Sequence, residues 1–353
     1  MKICYLLEST DLWGGVKVVL DHSRGLKKLG HEVIVRSLGG DHGWYPHAVN
    51  VVYVDRLDAP FANDDKPDVV IGTFWSTMTP ALNLAAPLTV HFCQGYEGDH
   101  VELPVPKETI DACYRLPIPK FVYGEWLTKR LVEVYGKDAF PIYPVGQLVD
   151  TDLFKPGRQT IKNIVKWFLC KKGSKRFPIK IMVVGDSYIS CKGIPDALNA
   201  VAILRKKGYE AYLIRVSLWP MRDEDREITE INEAHVKIPL AKMAALYRSV
   251  DLFIAPSHAA EGFGLPFAES MACGLPAVAT KIGSFLSLDA KKDYAMFVPE
   301  KSPMEIAEKI EFLLRHPMTY LRLAIRGPLL VRKRLGVVKI AENVEKGIKK
   351  FLK

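Results

Sequence analysis

The sequence predicts an α/β protein of two doubly wound domains, each built on a parallel sheet. Three observations carry this. Strand-like and helix-like segments alternate from end to end, the pattern of parallel sheets covered on both faces. The alternation restarts at Lys180, after a turn-rich stretch reading DTDLFKPG at 150–157. The length of 353 residues, with 48% apolar and 25% charged side chains, suits about two globular domains with cores that need no staples. The expected division is 1–150, 151–335 and a closing helix at 336–353.

In order along the first half, apolar runs predict strands at 2–8, 32–37, 51–54, 68–74, 88–92 and 140–145. Periodic apolar positions predict helices at 15–29, 79–85 and 125–135. The second half opens with a near-continuous apolar strand at 180–185, then a helix at 195–207 whose Pro195 suits a first turn. There follow a strand at 211–216, a helix at 240–249 and a strand at 251–256. A short helix at 267–273 is stopped by Gly274 and Pro276. Strands at 276–280 and 295–298 and a helix at 303–315 come next, and 337–353 reads as an amphipathic helix with a basic outer face.

The six cysteines, at 4, 93, 113, 170, 191 and 273, form no C-x-x-C pair, so no zinc or redox motif is indicated. Their scatter, with no leader-like start and no run of about 18 apolar residues, leads us to expect a cytoplasmic protein. The net charge of +9 is uneven: residues 1–150 carry 14 basic against 19 acidic residues, leaving +14 on the remainder. Residues 155–180 hold nine basic residues and no acid. Nucleic acid, an anionic membrane and a solvated face are the competing readings of such a run. Nucleic acid is set aside, because no recognition motif accompanies the charge. Peripheral contact with the inner face of an anionic membrane through 155–180, with Trp167 and Phe168 as anchors, stays open.

The most informative stretch is PSHAAEGFGLPFAESMACGLPAVAT, residues 256–280. Glu261 and Glu269 lie eight positions apart around a Gly-Phe-Gly-Leu-Pro loop between a strand and a helix. A helix N-terminus presents unpaired N–H groups and partial positive charge, which favour anions and sugar oxygens. Gly262 and Gly264 allow the backbone to approach a ligand, and a carboxylate can accept from two neighbouring hydroxyls. Near the N-terminus, Gly14-Gly15 opens a helix after strand one, without the later glycines of a dinucleotide fingerprint.

The string PS-x-x-x-EGFGLP-x-x-ES-MACG-x-P closely resembles the donor-site signature of retaining glycosyltransferases of family four, glycosyl transferases group 1. The opening GGV…LKKLGHEV is similar to the same family. The resemblance implies a GT-B fold: two Rossmann-like domains facing a cleft, with the C-terminal helix crossing back to the first. It implies that Glu269 holds the ribose hydroxyls of a sugar nucleotide and that Glu261 faces the transferred sugar. The amides of Phe263, Gly264 and Leu265 are expected on sugar and phosphate oxygens. Gly14 and Gly15 are expected near the diphosphate, Lys192 as its neutralising cation and Ile238 at the base. By the same resemblance His91, in LTVHFCQGYEGDH, faces sugar and acceptor, with Gln94 and Glu97 in the loop beyond.

Two positions depart from the family. Asp186 stands where an arginine usually clamps the diphosphate, with Lys237 and Arg215 as candidate substitutes. Gly124 replaces a serine. The pair Asp150 and Asp152 suggests a D-x-D metal motif, but it precedes the LFKP of the family's interdomain hinge, so no metal is expected. The expected function is metal-independent, retaining transfer of a sugar from a nucleoside-diphosphate sugar to a carbohydrate or lipid-linked acceptor. No cofactor beyond that donor is expected. A phosphorylase or synthase using a sugar phosphate, or a non-catalytic sugar-nucleotide-binding subunit, are the rival readings.

Overall fold

The computed structural model describes residues 1–62, 65–100, 104–169 and 178–352. The chain forms two compact units, Met1–Leu148 with Leu335–Lys353, and Val149–Arg334.

The first unit runs β1 (Lys2–Leu7), α1 (Gly14–Lys28), β2 (Glu32–Ser37), β3 (Val51–Tyr53), β4 (Val69–Gly72), α2 (Met78–Asn83), β5 (Leu88–Cys93), α3 (Lys107–Tyr114), β6 (Lys120–Val122), α4 (Glu125–Tyr135) and β7 (Ile142–Pro144). Its strands are ordered β3-β2-β1-β4-β5-β6-β7, with every neighbouring pair parallel. β1, β4 and β5 are nearly all buried because helices cover both faces.

The second unit runs α5 (Arg158–Leu169), β8 (Ile179–Val184), α6 (Ile194–Lys206), β9 (Ala211–Ser217), α7 (Asp223–Ile228), β10 (Glu233–Val236), α8 (Leu240–Ser249), β11 (Leu252–Ala255), α9 (Leu265–Ala272), β12 (Ala277–Thr280), α10 (Gly283–Leu286), β13 (Met296–Val298), α11 (Pro303–Arg315) and α12 (Pro317–Leu335). Its order is β10-β9-β8-β11-β12-β13, again parallel throughout. The chain leaves β8 to build one side of the sheet and returns at β11 to build the other. The carboxyl ends of β8 and β11 therefore flank the topological switch point, where open α/β sheets form a crevice. A last helix, α13 (Val337–Phe351), belongs to the first unit.

The two parallel sheets are the architecture the alternation predicts. Helices α8 and α11 coincide with their expected bounds. The unexpected elements are α3, α5, α7, α10, α12, β6 and β10. The basic run at 155–180 is only partly within the described residues, since 170–177 lie outside them. One of its expected membrane anchors is corrected. Trp167 is 3% exposed, stacks on Tyr320 at 4.2 Å between ring centroids, and donates its indole N–H to the Leu313 carbonyl at 3.1 Å. It is a core residue.

Candidate functional site

The second unit brings two of the expected donor residues, Lys192 and Glu261, together. The loop after β8 turns through Ser190–Lys192, and the loop after β11 carries 256–264. Lys192 Nζ lies 3.0 and 2.8 Å from the two carboxylate oxygens of Glu261, so one ion pair ties the loops across the switch point. Ser257 Oγ donates to Glu261 Oε2 at 3.1 Å. A second tie joins His258 Nε2 and Asp196 Oδ2 at 2.8 Å, and the His258 N–H donates to the Cys191 carbonyl at 2.7 Å. Burial pulls the Lys192 pKa down, but Glu261 overcomes this and holds it above its ordinary value. The ammonium is therefore charged at any physiological pH, and with 26% of its side chain exposed it can still meet a ligand.

Backbone conformation makes these loops possible. Gly264 ends the loop at φ 76° and caps α9, and a Cβ there would lie 2.2 Å from the Phe285 ring. The Phe267 and Ala268 amides close on the Gly264 carbonyl, starting the helix with Pro266 in its first turn. Phe263 and Ile238 are both nearly buried, Ile238 following Lys237, which sits at φ 48°. Glu269, on the buried face of α9, is 4% exposed, and the Tyr247 hydroxyl donates to its Oε2 at 3.3 Å. Its surroundings are thus polar on that side, not hydrocarbon alone.

Asp186 does not stand as a bare charge. Its Oδ1 accepts from the Ser217 hydroxyl and from the amides of Leu218 and Trp219 at 3.0 and 3.1 Å, pinning the turn after β9. Arg215, offered as a substitute cation, is corrected. It is fully buried and donates to the carbonyls of Val183 and Gly185 at 3.3 and 3.0 Å. Burial lowers its pKa to about 10 against the attraction of Asp225 and Asp186. It braces the end of β8. Asp150 Oδ1 accepts from the amides of Asp152 and Leu153 at 3.1 and 3.4 Å, the geometry of a side-chain-stabilised turn.

The remaining expected residues are in the first unit. Gly14 and Gly15 open α1, and Gln94 Nε2 donates to the Gly15 carbonyl at 3.2 Å, joining the loops after β1 and β5. The Tyr123 hydroxyl donates to Gln94 Oε1 at 3.3 Å. His91 is fully buried, its ring 4.8 Å from that of Tyr114. Neither ring nitrogen has a hydrogen-bond partner, and burial with nearby Lys120 holds its pKa well below the ordinary value. An enclosed, neutral imidazole gives no support to a sugar-facing role. Glu97 is also buried and accepts from the Tyr114 hydroxyl.

The family model described as Glycosyl transferases group 1 matches residues 178–316, the span that holds the Lys192–Glu261 pair. D-inositol 3-phosphate glycosyltransferase of Thermomonospora curvata is 28% identical over 212 residues, covering 56% of this chain and 48% of that protein. MMP alpha-(1->4)-mannosyltransferase of Mycolicibacterium hassiacum is 30% identical over 149 residues, covering 40% of this chain and 31% of that protein. The chain thus spans about half the length, or less, of these curated relatives. Among solved structures, HepE of Anabaena in complex with UDP-glucose has a TM-score of 0.76 at 14% identity, covering 99% of this chain and 100% of that one. Sucrose-phosphate synthase of Thermosynechococcus elongatus has a TM-score of 0.74 at 15% identity, covering 99% and 98%. These likenesses show the GT-B fold of two parallel-sheet α/β domains. Within residues 178–316 the chain is thus similar to the glycosyl transferases group 1.

Proposed function

We propose that this protein transfers a glycosyl group from a nucleoside-diphosphate sugar to a hydroxyl of a carbohydrate or lipid-linked acceptor, with retention at the anomeric carbon. The observation that carries the proposal is the Lys192–Glu261 pair at the switch point, beside the Gly264-capped start of α9. The relatives' names supply the reaction class, and the UDP-glucose complex of HepE supports a sugar-nucleotide donor. In this reading the bond from the anomeric carbon to the phosphate oxygen breaks and a bond to the acceptor oxygen forms on the same face. The acceptor's proton passes to the departing diphosphate. Lys192 stabilises the charge developing on that diphosphate, together with the Phe263, Gly264 and Leu265 amides, so the positive charge comes from the protein itself. Glu261 orients Lys192 and lies towards the sugar. Glu269 accepts from the ribose hydroxyls, and Ile238 borders the base. In the first unit, His91 is buried and shapes the interior.

The test is thermal shift against UDP, GDP, ADP and dTDP sugars, since a ligand that binds the native state raises the melting temperature. One donor class is expected to do so, with nucleoside diphosphate released on turnover. Charge-assisted hydrogen bonds of roughly 1.5–3 kcal/mol predict that Glu269→Ala weakens the donor response about ten- to a hundredfold. Lys192→Ala is expected to lower kcat by about a hundred- to a thousandfold, with less effect on donor KM. An unchanged donor response in Glu269→Ala refutes the ribose assignment, and an unchanged kcat in Lys192→Ala removes the lysine from the reaction.

A further inference from the structure

Helices α5 and α12 of the second unit meet at the Trp167–Tyr320 stack. Gly274 is bordered by Thr160 of α5 and by the Ala324 carbonyl of α12. Both helices bury one stripe and expose another that is apolar. On α5, Ile161, Val165 and Phe168 are 62, 49 and 41% exposed, and on α12, Met318, Ile325 and Leu329 are 66, 52 and 61% exposed. Six of the 17 exposed large hydrophobic residues among the described residues thus fall on these two helices. Scattered exposed hydrophobics need no explanation, but stripes on two helices that meet do.

Charge says what meets them. Neither helix contains an aspartate or glutamate. Arg158 and Lys162 of α5, and Arg322, Arg332 and Lys333 of α12, are exposed and have no described acidic partner. Asp289 and Asp293 are bound by Arg326 of α12, with Arg334 3.5 Å from Asp289. Lys166 is 3.4 Å from Asp251. We infer that the outer faces of α5 and α12 together form a seat for an anionic lipid bilayer. Apolar side chains flanked by lysine and arginine on helices lying flat enter the headgroup boundary in this way. A nucleic acid would leave the apolar stripes without a use. A second copy of the chain would set two acid-free basic helices against their like, at a cost in repulsion.

The inference is independent of the glycosyl-transfer reading, because none of these residues belongs to the donor site. The experiment is flotation of the full chain with phosphatidylcholine vesicles, with and without about 30 mol% phosphatidylglycerol, at low and high salt. Binding is expected only to the anionic vesicles and should weaken with salt. A basic residue near such a surface is worth about fivefold in partition, so Lys162→Gln/Arg322→Gln/Lys333→Gln should lose about a hundredfold. Ile325→Gln/Leu329→Gln should lose binding as well. Both variants should keep the parent melting temperature and donor response, which separates this result from failure of the active site. Equal binding to neutral vesicles overturns the inference. So does binding that survives Ile325→Gln/Leu329→Gln, the mark of a purely polyanionic partner. So does a dimer in sedimentation that the same double substitution dissolves.

Discussion

Glu97 sits in the loop after β5 with its carboxyl buried, and burial raises its pKa to about 7 despite the Tyr114 hydroxyl donating to it. In the unfolded chain it titrates near 4.5, so between those values the folded protein holds a proton the unfolded one has released. The contribution of Glu97 is fully present below the unfolded value and is lost as pH rises through about 7, by up to roughly 3 kcal/mol. His91 and His22 act in the other direction. Burial holds both below the ordinary histidine value, His22 at about 3, so they lower stability as pH falls beneath the unfolded value of 6.5. Comparison with Glu97→Gln isolates the glutamate. The variant's advantage in melting temperature should be small near pH 5 and grow to a plateau above about pH 7. A gap that stays constant across that range would mean the carboxyl titrates normally. The sequence marked Glu97 as chemically able, but burial of a polar side chain depends on tertiary neighbours. Asp186 makes the same point. By type it is an anion where a cation is expected, yet its oxygen is spent on Leu218 and Trp219, a use that depends on where β9 ends.

At the scale of elements, the donor half of the site is two loops meeting across β8 and β11. The sequence made those loops legible because their chemistry is local: glycine, proline and the two glutamates lie within one stretch. It gave Lys192 and Glu261 as separate expectations, since 69 residues separate them and only the sheet order brings them together. Helix α12 escaped notice for another reason: Gly327-Pro328 in its interior reads as a helix breaker, while α5 reads as a basic run and not as a helix. The three-residue strand β6 and the six-residue helix α7 are too short to show a repeating pattern. The junction between the loops makes its own prediction. Gly193 sits at φ 60°, and a Cβ there would lie 2.1 Å from the Pro256 carbonyl oxygen, a backbone atom at the end of β11. Gly193→Ala must strain one loop or push the other, at about 2–4 kcal/mol. A urea denaturation midpoint should fall accordingly, and donor binding should weaken with it. A variant within about half a kcal/mol of the parent would show the two loops free to part.

At the scale of the whole molecule, the chain finishes its first unit last. Helix α13 packs against α1, with Ala341 and Val337 crowding Gly25. Ile340 fills the space beside Gly146, and Asn343 Nδ2 donates to the Val145 carbonyl at 3.0 Å. Further along, Gly347 lies against Phe121 and Tyr143, and His31 Nε2 is 3.2 Å from Glu345 Oε1. Ile340, Ala341, Val344 and Ile348 are buried on this seam, each larger side chain worth about 1.5–3 kcal/mol of apolar burial. These contacts join residues nearly two hundred or more positions apart, so their loop-closure cost is met only once the end of the chain exists. The first unit therefore stays incomplete until then, whereas the second has its residues in one continuous segment. Ile340→Ala should cost roughly 2–5 kcal/mol, read as a fall in the urea midpoint, because the cavity opens against the backbone at Gly146. Ending the chain at Arg334 goes further. Trypsin should then cut freely within the first unit while residues of the second stay protected, since none of the second unit's sheet contacts is removed. Equal resistance in both units would mean that α13 is an accessory to a fold already closed without it.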